Sequence, residues 1–273
     1  MSDVSAFAPP RVIATDLDGT LLHSDGSLSD RTRAAIGRAE AAGIETVFVT
    51  ARPPRWLDGL ADAVGAHGIA LCGNGAFVYD VGARKVTDLR PFDARVVEEI
   101  AADLRRAFPA VRIAAERVDG PRFEPGFAYR REAHDPSMMA CLADIVSAPI
   151  GKLLARCSDA VPADFVARVA QIVQGRAELG VSDSSGLAEM TALGVTKATG
   201  LRRWCEGRGV SADDVWAFGD MPNDLPMLHW AGTSFAVGNA HTDVLAVAQH
   251  VCPSNDDDGV AHILEILLQG ASE

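Results

Sequence analysis

Residues 11–20 read RVIATDLDGT, an apolar run that stops at a pair of aspartates. Its β-branched and apolar residues favour a buried strand of a parallel sheet over a half-exposed strand. Gly19 and Thr20 then allow the backbone to turn sharply away. The stretch therefore predicts a strand that presents Asp16 and Asp18 at its carboxyl end.

Helices and strands alternate on the C-terminal side of this stretch. A predicted helix over 30–43 leads to a strand over 44–49, and a helix over 55–64 leads to a strand over 69–72. Gly43 is a typical residue at which a helix ends. Such alternation is typical of right-handed βαβ units and of a doubly wound parallel sheet.

The order of elements changes after about residue 82 and returns to alternation after residue 190. Helices are predicted over 93–108, 162–173, 196–208, 222–230 and 260–268, and strands over 111–116, 127–130, 150–156, 215–218 and 234–237, with two further strand-like runs before Met190. We therefore expect a doubly wound, Rossmann-like α/β core over 1–82 and 191–273. An α+β cap domain is expected as an insert over 83–190.

Four short polar segments directly follow predicted strands. They are Asp16-Leu17-Asp18, Thr50-Ala51-Arg52, Gly73-Asn74-Gly75 and the run GDMPND over 219–224. In open α/β sheets, ligands bind in the crevice beyond the carboxyl ends of the strands. We therefore expect these segments to converge on one site.

This site would gather four carboxylates, from Asp16, Asp18, Asp220 and Asp224. Acidic groups so close together have raised pKa values unless a cation lies among them. Mg²⁺ is the natural occupant, because it prefers oxygen ligands and leaves room for water and a phosphate oxygen. The four segments contain no histidine or cysteine, which argues against zinc.

A phosphate group needs donors and positive charge to enter such an acidic place. The sequence offers the ammonium of Lys197, the hydroxyl of Thr50 and the amide of Asn223. Phosphoryl transfer to a carboxylate uses one aspartate as the nucleophile and a second to move the proton. Asp16 and Asp18 suit these two roles.

These motifs resemble those of the haloacid dehalogenase superfamily of phosphatases. The closest resemblance is to the Cof-type branch, whose C2B-like cap is inserted between the second and third motifs. Residues 16–21 resemble the first motif, and residues 47–52, VFVTAR, resemble the second. Lys197, which ends the run EMTALGVTK, is similar to the third motif, and residues 219–224 are similar to the fourth. The resemblance extends over residues 11–268.

The resemblance implies a role for each acidic residue. It implies Asp16 as the nucleophile and a metal ligand, and Asp18 as the acid and base whose backbone carbonyl binds Mg²⁺. It also implies that Asp220 binds the metal. Asp224 would support the waters of the metal or orient Lys197.

The resemblance further implies that Thr50, Lys197 and Asn223 hold the phosphate. The second motif of the family more often reads Thr-Gly-Arg, whereas this chain has Ala51 at the middle position. The methyl group of Ala51 would lie close to the backbone N–H groups that meet the phosphate. Arg52 could contact the substrate or pair with an acidic neighbour, and both interpretations stay open.

Three further features have structural interpretations. Asn74 is predicted to shape a turn, and the acidic run Asp256-Asp257-Asp258 is predicted to cap the last helix. Residues 120–127, with one arginine and two aromatics, could be a loop that grips the substrate or an ordinary hairpin of the cap.

The composition limits the partners. A net charge of −12 and a pI near 5.0 disfavour nucleic acid and anionic membrane surfaces. The five scattered cysteines, the lack of a signal-like N-terminus and the lack of a long apolar stretch indicate a cytoplasmic protein. The sequence leaves the oligomeric state open.

The leading hypothesis is hydrolysis of a small phosphorylated metabolite such as a sugar phosphate. One alternative is a phosphomutase of the same superfamily, which would return the phosphoryl group to its substrate. A second alternative is a phosphate-responsive binding or signalling module that is phosphorylated on an aspartate. The length of the chain and its second aspartate argue against that module.

Overall fold

The computed structural model describes residues 8–60, 68–127, 135–180 and 186–270. Contacts divide the chain into two compact units, which we name the core unit (Met1–Thr87 with Lys197–Glu273) and the inserted unit (Asp88–Thr196). Among the described helices, none has both the length and the apolar character needed to cross a membrane.

Within the described residues, the larger sheet has eight strands. They are β1 (Val12–Thr15), β2 (Glu45–Val49), β3 (Ile69–Cys72), β4 (Phe77–Asp80), β5 (Lys85–Leu89), β11 (Val215–Gly219), β12 (Thr233–Val237) and β13 (His250–Cys252). Their order is β13-β12-β11-β1-β2-β3-β4-β5. In this order, each strand from β13 through β3 is parallel to its neighbour, whereas β3 and β4 are antiparallel. This mainly parallel sheet confirms the predicted α/β fold class.

The central strand β1 is buried along its whole length, as its continuous apolar sequence predicts. It pairs with β2 on one side and β11 on the other, with Val12 opposite Glu45 and Val215. The chain segments that follow these three strands therefore leave the sheet at the same edge. This register brings residues 16–18, 50–52 and 220–224 together.

The helices of the core unit are α1 (Asp30–Ala41), α5 (Lys197–Glu206), α6 (Leu225–Trp230), α7 (Thr242–Val247) and α8 (Gly259–Gly270). Helix α1 begins after Ser29, whose side chain accepts a hydrogen bond from the Thr32 N–H at 3.0 Å. It ends just before Gly43, which has a φ of +84°.

Some predicted elements of the core unit are wrong. Residues 54–56 and 58–60 form two short 3₁₀ turns where one helix over 55–64 was expected, and residues 61–64 lie outside the described residues. The helix expected over 222–230 begins as a separate 3₁₀ turn at Pro222–Asp224. Strands β4, β5 and β13 and helix α7 were not predicted, because their sequences are short and carry little periodicity.

The described residues of the inserted unit form a five-stranded sheet and three helices. The strands are β6 (Arg112–Arg117), β7 (Arg122–Phe123), β8 (Ile150–Arg156), β9 (Ala177–Gly180) and β10 (Ala188–Ala192), and the helices are α2 (Ala94–Ala107), α3 (Leu142–Ile145) and α4 (Pro162–Val173). The strand order is β7-β6-β8-β10-β9, and every pair is antiparallel.

The core of the inserted unit lies between one face of this sheet and two helices. Side chains of α2 and α4, including Leu104 and Phe165, pack in one buried cluster with Ile113, Leu153 and Met190 of the sheet. This arrangement is the α+β architecture that the mixed element order predicts.

The turn segment at residues 120–127 packs inside the inserted unit. Phe123 belongs to β7, and its ring lies 5.8 Å from that of Phe127 between centroids, with both side chains buried. The strand expected over 127–130 falls mostly outside the described residues, and Phe127 itself is not in a strand. The two aromatics therefore serve the packing of the unit.

Candidate active site

Asp16 lies directly after β1, at the carboxyl edge of the larger sheet. Its backbone N–H donates to the carbonyl oxygen of Phe218 in β11 at 3.1 Å. One oxygen of its buried carboxylate accepts a hydrogen bond from the Leu17 N–H at 2.7 Å. The other carboxylate oxygen lies 2.8 Å from Nζ of Lys197. Backbone and side-chain contacts thus fix the Asp16 carboxylate in one orientation.

Lys197 is the first residue of α5, and its side chain is only 1% exposed. Its Nζ lies 2.8 Å from Oδ2 of Asp16 and 2.8 Å from Oδ1 of Asp224. An ammonium group has three N–H donors, so these two carboxylates leave one donor for a further acceptor. Lys197 therefore links the predicted first, third and fourth motifs.

Asp224 is fully buried and uses both of its carboxylate oxygens. Oδ2 accepts hydrogen bonds from the backbone N–H groups of Asp220 at 3.1 Å and Met221 at 3.0 Å. A Cβ on Gly219 would lie 2.6 Å from the Asp224 Cβ, so only glycine fits at that position. The run from Gly219 to Asp224 is therefore a tight turn closed by its own last side chain.

Asp220 is held against the turn that follows β1. The hydroxyl of Thr20 donates to Oδ1 of Asp220 at 2.7 Å. Gly19 has a φ of +76°, and a Cβ there would lie 2.5 Å from Oδ2 of Asp220. Gly19 is thus required by its backbone conformation and by the close approach of this carboxylate.

The buried charges perturb one another. Burial raises the pKa of Asp16 to about 8, with Lys197 opposing the rise and Asp224 and Asp220 adding to it. Burial also raises the pKa of Asp220 to about 6, against the hydrogen bond from Thr20. Burial acts to lower the pKa of Lys197, but Asp16 and Asp224 outweigh it and the pKa is raised. The cluster therefore holds more negative charge than one lysine neutralises.

These carboxylates fit a divalent cation. Oxygens of Asp16, Asp220 and Asp224 all lie within 4.8 Å of one another. Mg²⁺ prefers oxygen ligands, and its charge would offset both the burial and the repulsion that raise the two pKa values. Asp16 and Asp220 are two of the expected ligands, and the Asp224 carboxylate lies beside them.

The Asp18 side chain is paired with Arg52. Nε of Arg52 lies 2.8 Å from Oδ2 of Asp18, and Nη2 lies 2.5 Å from Oδ1. The Asp18 side chain is 60% exposed. Two interpretations of Arg52 were left open. In the structure, Arg52 pairs with an acidic neighbour, Asp18.

Thr50 lies directly after β2 and is fully buried. Its hydroxyl oxygen accepts a hydrogen bond from the Arg52 N–H at 3.1 Å, and its carbonyl accepts one from the Asn74 N–H at 2.9 Å. Asn74 has a φ of +57°, which confirms that it shapes a turn. The hydrogen bond from Asn74 to Thr50 thus joins the segments that follow β2 and β3. Ala51, between Thr50 and Arg52 in the sequence, is half-buried.

Asn223 lies in the 3₁₀ turn between Pro222 and Asp224 and is half-buried. Its Oδ1 atom is buried and has no hydrogen-bond partner within the described residues. A buried acceptor without a donor is uncommon in folded proteins. Asn223 therefore has hydrogen-bonding capacity that its own neighbours do not use.

Sequence reasoning missed the residues that support the first motif. Thr20 lies within the quoted stretch, but its hydrogen bond to Asp220 joins distant parts of the chain. Nδ2 of Asn239 donates to the carbonyl oxygen of Gly19 at 2.8 Å, and Nδ2 of Asn255 donates to that of Leu22 at 2.9 Å. Asn239 closely follows the predicted strand over 234–237, whereas Asn255 follows β13, which was not predicted.

The acidic run directly precedes the last helix, α8, and two of its carboxylates also bind residues outside that helix. Asp256 accepts hydrogen bonds from the backbone N–H and the hydroxyl of Ser24, both at 2.7 Å. Asp258 accepts from the hydroxyls of Ser29 and Thr32 and lies 2.9 Å from Nε2 of His23. These carboxylates fasten the segment between β1 and α1.

The chain matches known proteins over nearly its whole length. Residues 13–264 match the family of haloacid dehalogenase-like hydrolases. The chain is 29% identical over 268 residues to the 5-amino-6-(5-phospho-D-ribitylamino)uracil phosphatase YitU of Bacillus subtilis, covering 94% of this chain and 97% of that protein. It is also 29% identical over 280 residues to the pyridoxal phosphate phosphatase YbhA of Escherichia coli, covering 93% and 97%.

A solved structure has the same fold. The crystal structure of a haloacid dehalogenase-like hydrolase from Bacteroides thetaiotaomicron superposes with a TM-score of 0.78 at 25% identity. The superposition covers 94% of this chain and 98% of that one.

Proposed function

We propose how this chain, which belongs to the haloacid dehalogenase-like hydrolase family and is a phosphatase, carries out its reaction. It hydrolyses a small phosphorylated metabolite in a Mg²⁺-dependent reaction. The phosphoryl group is carried on Asp16 as an acyl phosphate.

The observation that carries this proposal is the position of Lys197. Its Nζ lies 2.8 Å from both Asp16 and Asp224, with one N–H donor left over. That donor suits an oxygen of a phosphate placed against the Asp16 carboxylate. The same ammonium keeps Asp16 oriented and favours its charged form, which is the nucleophilic form.

The carboxylates of Asp16 and Asp220 and the backbone carbonyl of Asp18 would hold Mg²⁺, and the neighbouring Asp224 would support its waters. Bound there, the ion would neutralise charge on the phosphoryl oxygens. The hydroxyl of Thr50 and the amide of Asn223 would bind the remaining oxygens. For Asn223, the donor to a phosphate oxygen would be the Nδ2 amide group.

The reaction has two steps. In the first step, a carboxylate oxygen of Asp16 attacks phosphorus, the bond from phosphorus to the leaving oxygen breaks, and Asp18 gives its proton to that oxygen. In the second step, water attacks phosphorus, its proton passes to Asp18, and the bond to Asp16 breaks. The products are the alcohol and inorganic phosphate, and both aspartates return to their starting forms.

The substrate is a phosphate monoester of metabolite size. The two relatives described above are named for a ribitylamino-uracil phosphate and for pyridoxal phosphate. Both names describe organic groups joined to one phosphate. At 29% identity these names support the substrate class for this chain and do not select one compound.

The test is phosphate release from a panel of metabolite monoesters, with Mg²⁺ or with EDTA. We expect Mg²⁺-dependent turnover by the wild type and a loss of at least about 1,000-fold in kcat for Asp16→Asn. The control is Asp30→Asn, an exposed aspartate in the first turn of α1, which should keep full activity. Retained turnover in Asp16→Asn would refute the nucleophile. Equal rates with EDTA would refute the metal.

A further inference from the structure

The chain contains four asparagines, and each of them follows a strand of the larger sheet. They are Asn74 after β3, Asn223 after β11, Asn239 after β12 and Asn255 after β13. These strands run in the same direction, so the four residues lie at the carboxyl edge of the sheet, as the candidate active site does. The proposed reaction uses Asn223 but gives Asn239 and Asn255 no role.

The side-chain amide of Asn239 is used at both ends. Its Oδ1 accepts a hydrogen bond from the Asn255 N–H at 2.9 Å, and its Nδ2 donates to the carbonyl oxygen of Gly19 at 2.8 Å. A backbone N–H can only donate, so it fixes which end of the amide is the oxygen and turns the nitrogen toward Gly19. Asn239 therefore links the turn after β13 to the turn after β1.

The turn after β1 is also held at its other end. Asn255 is only 3% exposed, and its Nδ2 donates to the carbonyl oxygen of Leu22 at 2.9 Å. The Leu22 N–H donates in turn to the carbonyl oxygen of Leu17 at 2.9 Å. The two asparagines thus fix both ends of residues 19–22.

Gly19 and Thr20 form the surface against which the carboxylate of Asp220 packs. The Thr20 hydroxyl donates to Oδ1 of Asp220 at 2.7 Å, and a Cβ on Gly19 would lie 2.5 Å from Oδ2. The backbone of Asp220 is held by residues 239–241, because the His241 N–H donates to its carbonyl oxygen at 2.8 Å. This short segment therefore holds Asp220 directly at the backbone and, through Gly19, at the side chain.

The position of the Asp220 carboxylate matters for a bound cation. Its oxygen lies within 4.8 Å of carboxylate oxygens of Asp16 and Asp224. Mg²⁺ demands near-ideal octahedral geometry, so its affinity depends on the groups that orient each ligand. We propose that Asn239 is a positioning residue of the metal site, which keeps the Asp220 carboxylate in place by holding the Gly19 carbonyl. This inference rests on the proposed Mg²⁺-dependent function.

The test is the binding of Mg²⁺ alone to the metal-free protein, measured by isothermal titration calorimetry. Asn239→Asp keeps the size of the side chain and the acceptor for the Asn255 N–H, but it removes the donor to Gly19. We expect the dissociation constant for Mg²⁺ to rise by at least about tenfold. The added negative charge would by itself favour a cation, so charge does not explain this loss.

Gln249→Glu is the matched control, because it also changes an amide to a carboxylate. Gln249 lies just before β13, at the opposite edge of the sheet, and its Oε1 accepts a hydrogen bond from the Ser234 N–H at 3.2 Å. A glutamate can still accept this bond. The dissociation constant for Mg²⁺ should therefore stay within about twofold of that of the wild type.

Asn239→Ala is a second variant that adds no charge. Asn239 is exposed, so its truncation should leave the fold intact and raise the dissociation constant in the same way. Wild-type affinity for Mg²⁺ in both Asn239 variants would overturn the proposal, even if their melting temperatures fell, because Asn239 would then serve stability alone. A wild type that binds no Mg²⁺ would instead overturn the proposed metal dependence, and this inference with it.

Discussion

Arg52 holds Asp18 through two parallel hydrogen bonds, of 2.8 Å and 2.5 Å, between its guanidinium and the carboxylate. Planar pairs of this kind combine charge with fixed geometry. The Asp18 side chain is 60% exposed, and its carboxylate bonds to Arg52. The orientation of the proposed acid and base therefore depends on one arginine of the second motif.

Arg52→Gln should lower kcat by about tenfold or more and change KM less. Without the guanidinium, Asp18 loses the contacts that orient it toward the leaving oxygen. Steady-state kinetics with an alkyl phosphate, which needs protonation of its leaving oxygen, measure the effect.

The control for this variant is Arg55→Gln, which changes an arginine three residues further along the chain. Arg55 lies over the ring of Trp56, 5.0 Å from its centroid. This change should leave kcat within about twofold of the wild type. A rise in KM with unchanged kcat for Arg52→Gln would instead identify Arg52 as a substrate contact.

Lys197→Met should lower the free energy of unfolding of the metal-free protein by about 3–5 kcal/mol at pH 8. The change leaves the buried carboxylates of Asp16 and Asp224 without their ammonium. Chemical denaturation in EDTA measures the loss. Lys85→Met, at an exposed lysine of β5, should change the free energy of unfolding by at most about 0.5 kcal/mol. Similar losses in the two variants would show that the buried ammonium contributes little.

The metal-free protein should lose stability as the pH rises toward 8. Burial raises the pKa of Asp220 to about 6 and that of Asp16 to about 8, from 3.8. Between the unfolded and folded values, the native state binds more protons than the unfolded state, so the free energy of unfolding falls with increasing pH.

Asp220→Asn isolates one part of this dependence. Thr20 can still donate to the amide oxygen, and the titrating group is gone. Melting temperatures in EDTA from pH 5 to pH 7 should therefore fall less in this variant than in the wild type. Mg²⁺ should raise the melting temperature of the wild type more at pH 8 than at pH 6. A wild type whose stability rises across this range relative to Asp220→Asn would contradict the raised pKa of Asp220.

The sequence was sufficient to predict the parallel core and the convergence of its acidic residues. Strands such as β1 are continuous apolar runs, and each ends at a polar residue that leaves the sheet at the same edge. Asp16, Asp220 and Asp224 meet there because parallel strands share that edge, which is a property of topology and needs no side-chain detail.

The side-chain pairs within the site could not be predicted from the sequence. Asp18 and Arg52 belong to different strand ends, and nothing in the local sequence chooses between a bond to each other and a contact with substrate. Likewise, Asp258 binds Ser29 and Thr32 across more than 200 positions, whereas a local pattern suggested only a helix cap. Polar side chains find such partners through tertiary packing.

Gly200→Ala should destabilise the protein by about 1–3 kcal/mol and lower its activity, although alanine usually favours a helix. Gly200 lies in α5, and a Cβ there would lie 2.8 Å from the Cα of Gly75, so backbone would have to move. Lys197 lies one turn earlier on the same helix, and its displacement would move the ammonium away from Asp16.

Gly37→Ala is the matched control, because Gly37 is exposed within α1 and a Cβ there would meet nothing within 4 Å. That change should stabilise the protein by up to about 1 kcal/mol and leave kcat/KM unaltered. Thermal melting and phosphate release measured on both variants test the pair, and equal stability of the two would show that α5 can shift away from Gly75 at no cost.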